Sequence, residues 1–279
     1  MTDRSSTIVV VISAILMASM VALADMSDDL QAANMLVGKG CSGTLISLEH
    51  RLILTAYHCI DDAIKIEERE ERLPDGTYRK FRREKKEDIS VAQVHYQDWR
   101  IVGRVNFDTE IVSWDKERDL ALLQFRSTTL PFTKAARLPP PGFTERPLMP
   151  IIVMGNPLGQ ENTITRGIIA NVNRIMEIGT QKYRYVQLDA VIAPGSSGGA
   201  VYHATDHFYF AMTAAGFRGV PINFAVPWRV IKEFLEDQCW HELWGPTEKT
   251  REECLMAKAS IYKSPLAMDR QQENPKGDR

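Results

Sequence analysis

A serine set among glycines is the residue of this chain best placed to do covalent chemistry. Ser197 lies in the segment Gly195-Ser196-Ser197-Gly198-Gly199, between two apolar runs. Glycines on both sides let the backbone turn sharply, so the hydroxyl protrudes and neighbouring N–H groups converge on one point. Such a point can stabilise an oxyanion, and a histidine can activate the hydroxyl. The pattern therefore predicts a serine hydrolase.

His58 is the candidate base for this serine. It follows the strand-like run Leu52–Thr55 and directly precedes Cys59. A disulfide from Cys59 to Cys41 would tie the turn that carries the histidine to the preceding strand, and a bridge closing a loop of this length stabilises by about 3 kcal/mol. We therefore expect His58 to take the serine proton and not to pack in the core.

Asp119 is the candidate acid that orients the histidine. It precedes Leu120–Leu123, which has the pattern of a buried strand. A carboxylate at the edge of an apolar strand is costly unless it is hydrogen-bonded, and a histidine N–H can supply that bond. Asp115 lies nearby, but its polar neighbours predict a surface turn. We therefore favour Asp119.

The elements that must position these residues are mostly short strands. Apolar or alternating runs separated by turn residues predict an all-β fold, a sandwich or a barrel. The expected strands are Thr44–Ser47, Leu52–Thr55, Ile89–Val94, Glu110–Ser113, Leu120–Phe125, Ile151–Met154, Thr163–Asn171, Tyr183–Leu188, Tyr209–Ala214 and Ile222–Ala225.

Two segments interrupt the strand pattern. Residues 66–88 carry mixed charges around Pro74-Asp75-Gly76, which predicts a solvated hairpin or loop. Three consecutive prolines begin at Pro139 and cannot lie in a central strand. We expect the segment 138–148 to connect two halves, 35–137 and 149–227, with His58 and Asp119 in the first half and Ser197 in the second. An active site between two halves follows.

The C-terminal part contains one clear helical pattern. Pro227-Trp228 opens it, and Val230, Ile231, Phe234 and Leu235 form an apolar stripe, so we predict a helix over 228–243. The remaining segment, 244–279, is polar, and we expect it to be frayed.

The N-terminal segment has the marks of a secretory leader. Arg4 precedes an apolar run that ends in Ala22-Leu23-Ala24, with small residues at the expected cleavage site. Residues 1–24 therefore predict a signal peptide or, if uncleaved, a membrane anchor. In both cases the body of the chain is expected to be exported, to the periplasm or the exterior, where disulfides form.

The cysteines and the net charge bear on whether the protein binds a metal or a nucleic acid. Proximity favours the pairs Cys41–Cys59 and Cys239–Cys254, with free thiols as the alternative for the second pair. The chain has no CxxC motif of the kind that binds zinc, and we expect neither a metal nor another cofactor. The formal net charge of −2 gives no indication of nucleic-acid binding. Nothing in the sequence sets the oligomeric state.

Four segments in order resemble the trypsin/chymotrypsin-like serine peptidases. They are Cys41-Ser42-Gly43-Thr44-Leu45-Ile46-Ser47, Thr55-Ala56-Tyr57-His58-Cys59, Asp119-Leu120-Ala121-Leu122-Leu123 and Gly195-Ser196-Ser197-Gly198-Gly199. Other stretches are similar to the HtrA-type bacterial branch: Gly155-Asn156-Pro157-Leu158-Gly159, Thr165-Arg166-Gly167-Ile168-Ile169 and Phe224-Ala225-Val226-Pro227. The resemblance covers roughly residues 37–235.

The resemblance implies a fold of two six-stranded antiparallel β-barrels followed by the C-terminal helix, with a catalytic triad of His58, Asp119 and Ser197. It also implies an oxyanion hole formed by the N–H groups of Gly195 and Ser197, with help from Ser196. The implied activity is a serine endopeptidase that acts on polypeptides. The residues implied to bind substrate are Val191, Ile192, Thr213, Ala214, Ala215 and Gly216.

Departures from the family pattern are informative. Family members activated by a freed N-terminus carry an aspartate just before the catalytic serine, whereas this chain has Ser196, so we expect no activation of that kind. Val191 replaces the acid that gives trypsin its preference for basic residues. With Ile192 beside it, the pocket is expected to prefer small or medium apolar residues. Too little chain follows the predicted helix for the PDZ domain common in HtrA-type enzymes.

Two other readings compete with a peptidase. The glycine-serine segment also fits the nucleophile elbow of α/β-hydrolases, but those enzymes place the serine before the acid and the histidine and alternate strands with helices. A catalytically silent binding protein of the trypsin fold is the second alternative. The presence of all three triad residues argues against it.

Overall fold

The computed structural model describes residues 30–262, except 75, 98–99, 133, 179–180, 218–219, 221, 246 and 248–249. The predicted leader at 1–24 lies outside the described residues, and so does the end of the predicted tail. Within the described part, residues up to Trp228 form one compact unit and residues from Arg229 form a second.

Strands dominate the first unit. The strands of the described chain are β1 (Asn34–Val37), β2 (Cys41–Ser47), β3 (Leu52–Thr55), β4 (Ile64–Arg72), β5 (Tyr78–Lys86), β6 (Ile89–Gln97), β7 (Arg100–Asp115), β8 (Leu120–Phe125), β9 (Pro150–Gly155), β10 (Thr163–Ile178), β11 (Gln181–Leu188), β12 (Ala200–His203), β13 (Tyr209–Gly216) and β14 (Asn223–Pro227). All pairings between them are antiparallel.

Twelve of these strands close into two six-stranded barrels. The first runs in the order β1-β2-β3-β8-β7-β6 and the second in the order β10-β11-β14-β13-β12-β9. The predicted pair of barrels is therefore confirmed. Strands β1 and β12, of four residues each, were missed. The predicted first half ended at 137, whereas its last strand ends at Phe125.

Apolar side chains fill each barrel. Every residue of β3 is buried, and so are all but one of β8, which pairs with it through Ile53 and Leu123. In the second barrel Phe210 and Met212 of β13 are fully buried. Strands that are buried on both sides read as continuous apolar runs, which is why these elements were predictable from the sequence.

The charged segment forms a separate two-stranded hairpin, β4–β5. Its register places an acidic strand beside a basic one, so that Glu70 pairs with Lys80 at 3.1 Å and Glu67 with Lys85 at 3.5 Å. Both strands are largely exposed, and the opposed charges make the pairing favourable without a core. Of the two structures expected here, hairpin or loop, the chain adopts the hairpin.

The predicted C-terminal helix is shorter than expected. Helix α1 spans Trp228–Asp237, with Ile231, Phe234 and Leu235 fully buried. It stops before 243 because Cys239 takes a left-handed backbone conformation, with φ of 62°, that ends helical pairing. A single turn, His241–Trp244, follows.

The expectation of a frayed tail from 244 onward is wrong for part of that segment. Helix α2 spans Arg251–Tyr262. It has no apolar stripe to reveal it, and local tethers hold it instead. The Cys239–Cys254 disulfide is formed, and the guanidinium of Arg251 lies 4.0 Å from the ring centre of Trp240. The Cys41–Cys59 disulfide is formed as well, so both predicted pairings are confirmed.

Replacing Cys239 and Cys254 together by alanine should release α2. A bridge across a loop of this length contributes about 3 kcal/mol, so we expect amide hydrogen exchange in Arg251–Tyr262 to become faster by about 100-fold. The matched control is the double alanine variant at Cys41 and Cys59, which should leave exchange in α2 unchanged. Unaltered protection of α2 without its own disulfide would contradict the assigned tether.

Candidate active site

A short turn after β3 presents His58. The backbone forms a single helical turn at Tyr57–Cys59, and the disulfide from Cys59 to Cys41 anchors that turn to β2. The His58 side chain is 46% exposed, so it faces solvent. The expectation that this histidine does not pack in the core is confirmed.

Asp119 lies beside the histidine. Its carboxylate accepts hydrogen bonds from the His58 backbone N–H at 3.0 Å and from ring nitrogen Nδ1 at 2.9 Å, and its carbonyl accepts the Tyr57 N–H at 3.2 Å. Asp119 has a φ of 54°, an uncommon conformation for a residue with a side chain. This strain turns the carboxylate of the residue before β8 towards the histidine turn.

The carboxylate sets the protonation of the imidazole. An ionised carboxylate only accepts hydrogen bonds, so Nδ1 carries the proton and the neutral ring has its lone pair on Nε2. The hydrogen bond to Asp119 raises the pKa of His58 above its ordinary 6.5, although partial burial opposes the rise. The ring is thus oriented to receive a proton on Nε2.

Ser197 lies in a tight turn that we call the serine turn, residues 193–199. Two glycines in it take left-handed conformations, Gly195 with φ of 99° and Gly198 with φ of 85°. A side chain at Gly198 would place its first carbon 2.1 Å from the carbonyl oxygen of Ser42, so only glycine fits this approach. The Ser197 hydroxyl donates to the carbonyl of Ala214 at 3.2 Å.

Direct bonds join the serine turn to the strands that carry the histidine. The Ser42 N–H donates to the Ser197 carbonyl at 2.8 Å, and the Thr55 hydroxyl donates to the Ser42 carbonyl at 2.7 Å. The sulfur of Cys59 lies 3.8 Å from the same Ser197 carbonyl. The serine turn therefore packs against β2 and against the disulfide that anchors the His58 turn, with the serine hydroxyl turned towards Ala214.

The N–H groups of the serine turn divide into two sets. In the described part of the chain, those of Gly195 and Ser197 donate to no protein acceptor. The N–H of Ser196 donates to the Ala193 carbonyl at 2.9 Å, and its hydroxyl accepts the Ala193 N–H at 3.2 Å. The expected help from Ser196 is therefore corrected, because this residue closes the turn and its N–H cannot reach a ligand.

A cleft of about 660 Å³ opens beside Ser197. Among the residues predicted to bind substrate, Val191, Ile192, Ala214, Ala215 and Gly216 line it. Its wall is predominantly apolar, which agrees with the side chains at the first two positions.

Thr213 was also predicted to offer its backbone to substrate, but its N–H already donates to the Gly199 carbonyl at 2.9 Å. The side chain is fully buried, and its hydroxyl donates to the carbonyl of Ser196 and lies 3.2 Å from that of Gly199. Its carbonyl accepts the Gly198 N–H at 2.8 Å. Thr213 therefore braces the serine turn from behind.

Sequence reasoning missed five residues that line the cleft: Ala193, Pro194, Phe217, Val220 and Asn223. Asn223 is 4% exposed and donates its amide to the Ala190 carbonyl at 2.7 Å. Its amide oxygen lies so close to Gly216 that a side chain on that residue would meet it at 2.2 Å. A polar residue at the start of β14, directly before its apolar run, was a signal that could have revealed it.

Tyr185 of β11 was missed as well. It is 4% exposed, and burial together with the charge of Asp119 raises its pKa to about 12. Its ring packs against Phe224 with centroids 6.3 Å apart, and Phe224 in turn packs against Phe217. An aromatic row therefore runs from the cleft towards the acid of the site.

Other clusters of potential ligands are already engaged. Cys41 and Cys59 lie near His58, but their sulfurs form the disulfide and offer no thiolate to a metal. His203 pairs with the Asp206 carboxylate at 3.0 Å, and His207 bonds the Ala204 carbonyl at 3.0 Å. These histidines stabilise the turn between β12 and β13.

Comparison with known proteins agrees with this geometry. The family described as "Trypsin-like peptidase domain" matches residues 41–209. The chain is 28% identical over 157 residues to a putative serine protease, HhoB, from Synechocystis, covering 54% of this chain and 35% of that protein. It is 27% identical over 154 residues to the periplasmic serine endoprotease DegP from Salmonella typhimurium, covering 52% of this chain and 30% of that protein.

A solved structure gives the same fold. The MamO protease domain from Magnetospirillum magneticum, in its apo form, matches with a TM-score of 0.55 and 18% identity, over 74% of this chain and 97% of the other. The chain spans about a third of the length of the curated relatives it matches. Among the described residues, no helix has both the length and the apolar character needed to cross a membrane.

Replacing Asp119 with asparagine should lower the pKa of His58. The carboxylate favours the charged imidazolium, so its removal leaves a ring that loses its proton at lower pH. Titration of the His58 ring by proton NMR should show a midpoint above 6.5 in the wild type and a downward shift in the variant. The other histidine resonances are internal controls. A wild-type midpoint below 6.5 would contradict the assigned hydrogen bond.

Proposed function

The chain belongs to the trypsin-like peptidase family, and from this premise we propose that it is a serine endopeptidase with Ser197 as nucleophile, His58 as base and Asp119 as orienting acid. The observation that carries the proposal is the Asp119–His58 hydrogen bond, together with a serine turn in which two N–H groups donate to no acceptor among the described residues. This arrangement supplies the nucleophile, the base and the charge stabilisation that acyl transfer requires.

The proposed reaction begins with rotation of the Ser197 side chain away from Ala214. Its hydroxyl gives its proton to His58 Nε2 while the oxygen attacks the peptide carbonyl. His58 then protonates the leaving nitrogen, the C–N bond breaks, and an acyl-enzyme remains on Ser197. Water loses a proton to His58 as it attacks the ester, and that proton returns to the serine oxygen when the acid product leaves.

The N–H groups of Gly195 and Ser197 would stabilise the oxyanion in both tetrahedral intermediates. Neither group has a protein acceptor among the described residues, so each can bond a developing negative charge without first breaking another bond. The N–H of Ser196 is left out of this role, since Ala193 already accepts it.

The open edge of β13 would bind the substrate backbone. On one side Ala215 and Gly216 pair with β14, whereas the pairing with β12 on the other side ends at Met212. The backbone from Ala214 to Gly216 thus has one edge without a strand partner in the described chain. An extended polypeptide can add there as a further antiparallel strand.

The cleft would then receive the residue on the amino side of the cleaved bond, the P1 residue. Val191, Ile192 and Phe217 give it apolar walls, and Asn223 contributes a neutral amide. The described residues that line the cleft include no acid to pair a basic side chain. These features support a preference for small or medium apolar residues.

A catalytically silent binding protein is the second candidate, because the Ser197 hydroxyl donates to Ala214 and not to His58. Labelling with a fluorophosphonate separates the two candidates. Export to an oxidising compartment is also proposed, supported by the two disulfides, the leader-like residues 1–24 and the similarity to the periplasmic DegP.

Replacing Ser197 with alanine should reduce turnover of a peptide substrate by about 10⁴- to 10⁶-fold, because the nucleophile is lost. Fluorophosphonate labelling should disappear with it. Ser127→Ala is the matched control, since this exposed serine bonds the Thr129 carbonyl and should be dispensable for labelling. A Ser197→Ala variant that keeps wild-type turnover, or a folded wild type that takes no label, would overturn the enzyme assignment.

Cleavage of a peptide library should show apolar P1 residues such as Ala, Val or Leu, with sites after Arg or Lys at least about 10-fold poorer in kcat/KM. Gly216→Ala should weaken this selectivity, because its side chain would displace the Asn223 amide. Gly103→Ala, at a position with open space around it, is the control. Rapid cleavage after Arg would refute the proposed preference.

A further inference from the structure

Four consecutive peptide planes of the serine turn are each fixed by a hydrogen bond. In a trans peptide the C=O and the N–H point in opposite directions, so anchoring one aims the other. The Leu158 N–H donates to the Pro194 carbonyl at 2.7 Å. The N–H in that same plane belongs to Gly195, and it therefore points away from Leu158.

The plane that bears the Ser197 N–H is anchored in the same way. The carbonyl of Ser196 accepts the Gly199 N–H at 2.9 Å and the hydroxyl of Thr213. Both proposed oxyanion donors thus owe their direction to bonds made on the far side of their own peptide planes.

Ser42 holds the plane between these two. Its hydroxyl donates to the Gly195 carbonyl at 2.7 Å and accepts the Asn156 N–H at 2.8 Å. Its own N–H donates to the Ser197 carbonyl. Ser42 is fully buried, so water cannot replace a lost bond without rearrangement.

The same hydroxyl fixes the position of the Leu158 N–H. Asn156 lies two residues before Leu158 in one turn, and its side chain donates to the Met35 carbonyl at 2.8 Å and accepts from Asn34 at 2.9 Å. Asn156 is 1% exposed. The turn that ends in Leu158 is thereby tied to β1 and, through Ser42, to β2.

We propose that Ser42 is a positioning residue that holds the serine turn with the Gly195 and Ser197 N–H groups directed to the substrate. This inference rests on the proposed function. A network of neutral hydrogen bonds keeps the oxyanion hole formed in the resting protein. Without the Ser42 hydroxyl, the Gly195 carbonyl loses one partner and the Asn156 N–H loses its acceptor, so the turn that holds the Leu158 N–H against the Pro194 carbonyl is loosened. The Pro194–Gly195 plane can then turn over, which withdraws the Gly195 N–H from the substrate.

Ser42→Ala tests the proposal. We expect kcat for a good library peptide to fall at least about 10-fold with KM changed less than about 3-fold, since loss of a whole oxyanion donor costs about 10²- to 10³-fold. Affinity for a peptide boronate, whose tetrahedral adduct places an oxygen in the hole, should fall by a similar factor. A merely structural role would move neither the boronate affinity nor kcat selectively.

Thr109→Val is the matched control for Ser42→Ala. Thr109 is equally buried in the first barrel, and its hydroxyl donates to the Ile89 carbonyl at 2.8 Å, away from the serine turn. It should lower the melting temperature similarly while leaving kcat and boronate affinity at wild-type values. Wild-type kcat and boronate affinity in Ser42→Ala would overturn the proposal.

Hydrogen exchange in the wild-type protein tests the turn without any variant. The Leu158 amide should be protected although its side chain is 71% exposed, and the Gly195 amide should exchange freely until the boronate is bound. An unprotected Leu158 amide would refute the inference even if the enzyme is active. A wild type that neither cleaves peptides nor takes a fluorophosphonate would instead refute the proposed function, while the Leu158 measurement still reports on the turn.

Discussion

The hydrogen bonds between the serine turn and strand β2 are the contacts on which this site depends. Ser197 comes from the second barrel and His58 from the first, so a site that uses both requires a fixed relative position of the two barrels. The hydrogen bond from the Ser42 N–H to the Ser197 carbonyl fixes that position directly. Gly198 makes it possible, because a side chain there would collide with the Ser42 carbonyl.

Asp119 and His58, the proposed acid and base, are positioned by contacts within the first barrel alone. Both lie at ends of neighbouring strands, β3 and β8, which pair antiparallel from Leu52 to Thr55. The pairing brings the residues that flank the strands close together, and the left-handed conformation of Asp119 completes the approach. The site therefore combines the Asp119–His58 pair, fixed within one barrel, with the proposed nucleophile Ser197 from the other.

Much of the site was predictable because local sequence patterns mark it. The parts that depend on the pairing of residues distant in sequence were not predictable. The serine turn and the two strand ends were predictable because glycines and apolar runs mark them. The role of Thr213 was not, because a bulge between Thr213 and Ala215 breaks the alternation of side chains along β13. Asn223 reaches the cleft only through its pairing with Gly216, and α2 has tethers in place of an apolar stripe.

Because of the Cys41–Cys59 disulfide, the position of His58 depends on the redox conditions around the protein as well as on its sequence. It is the covalent link between β2, which contacts the nucleophile, and the turn that presents His58. In a glutathione-rich cytosol such a bridge is not maintained, and the imidazole would be held by hydrogen bonds alone. Under the proposed activity and export, the reduced polypeptide would be a looser catalyst than the oxidised one.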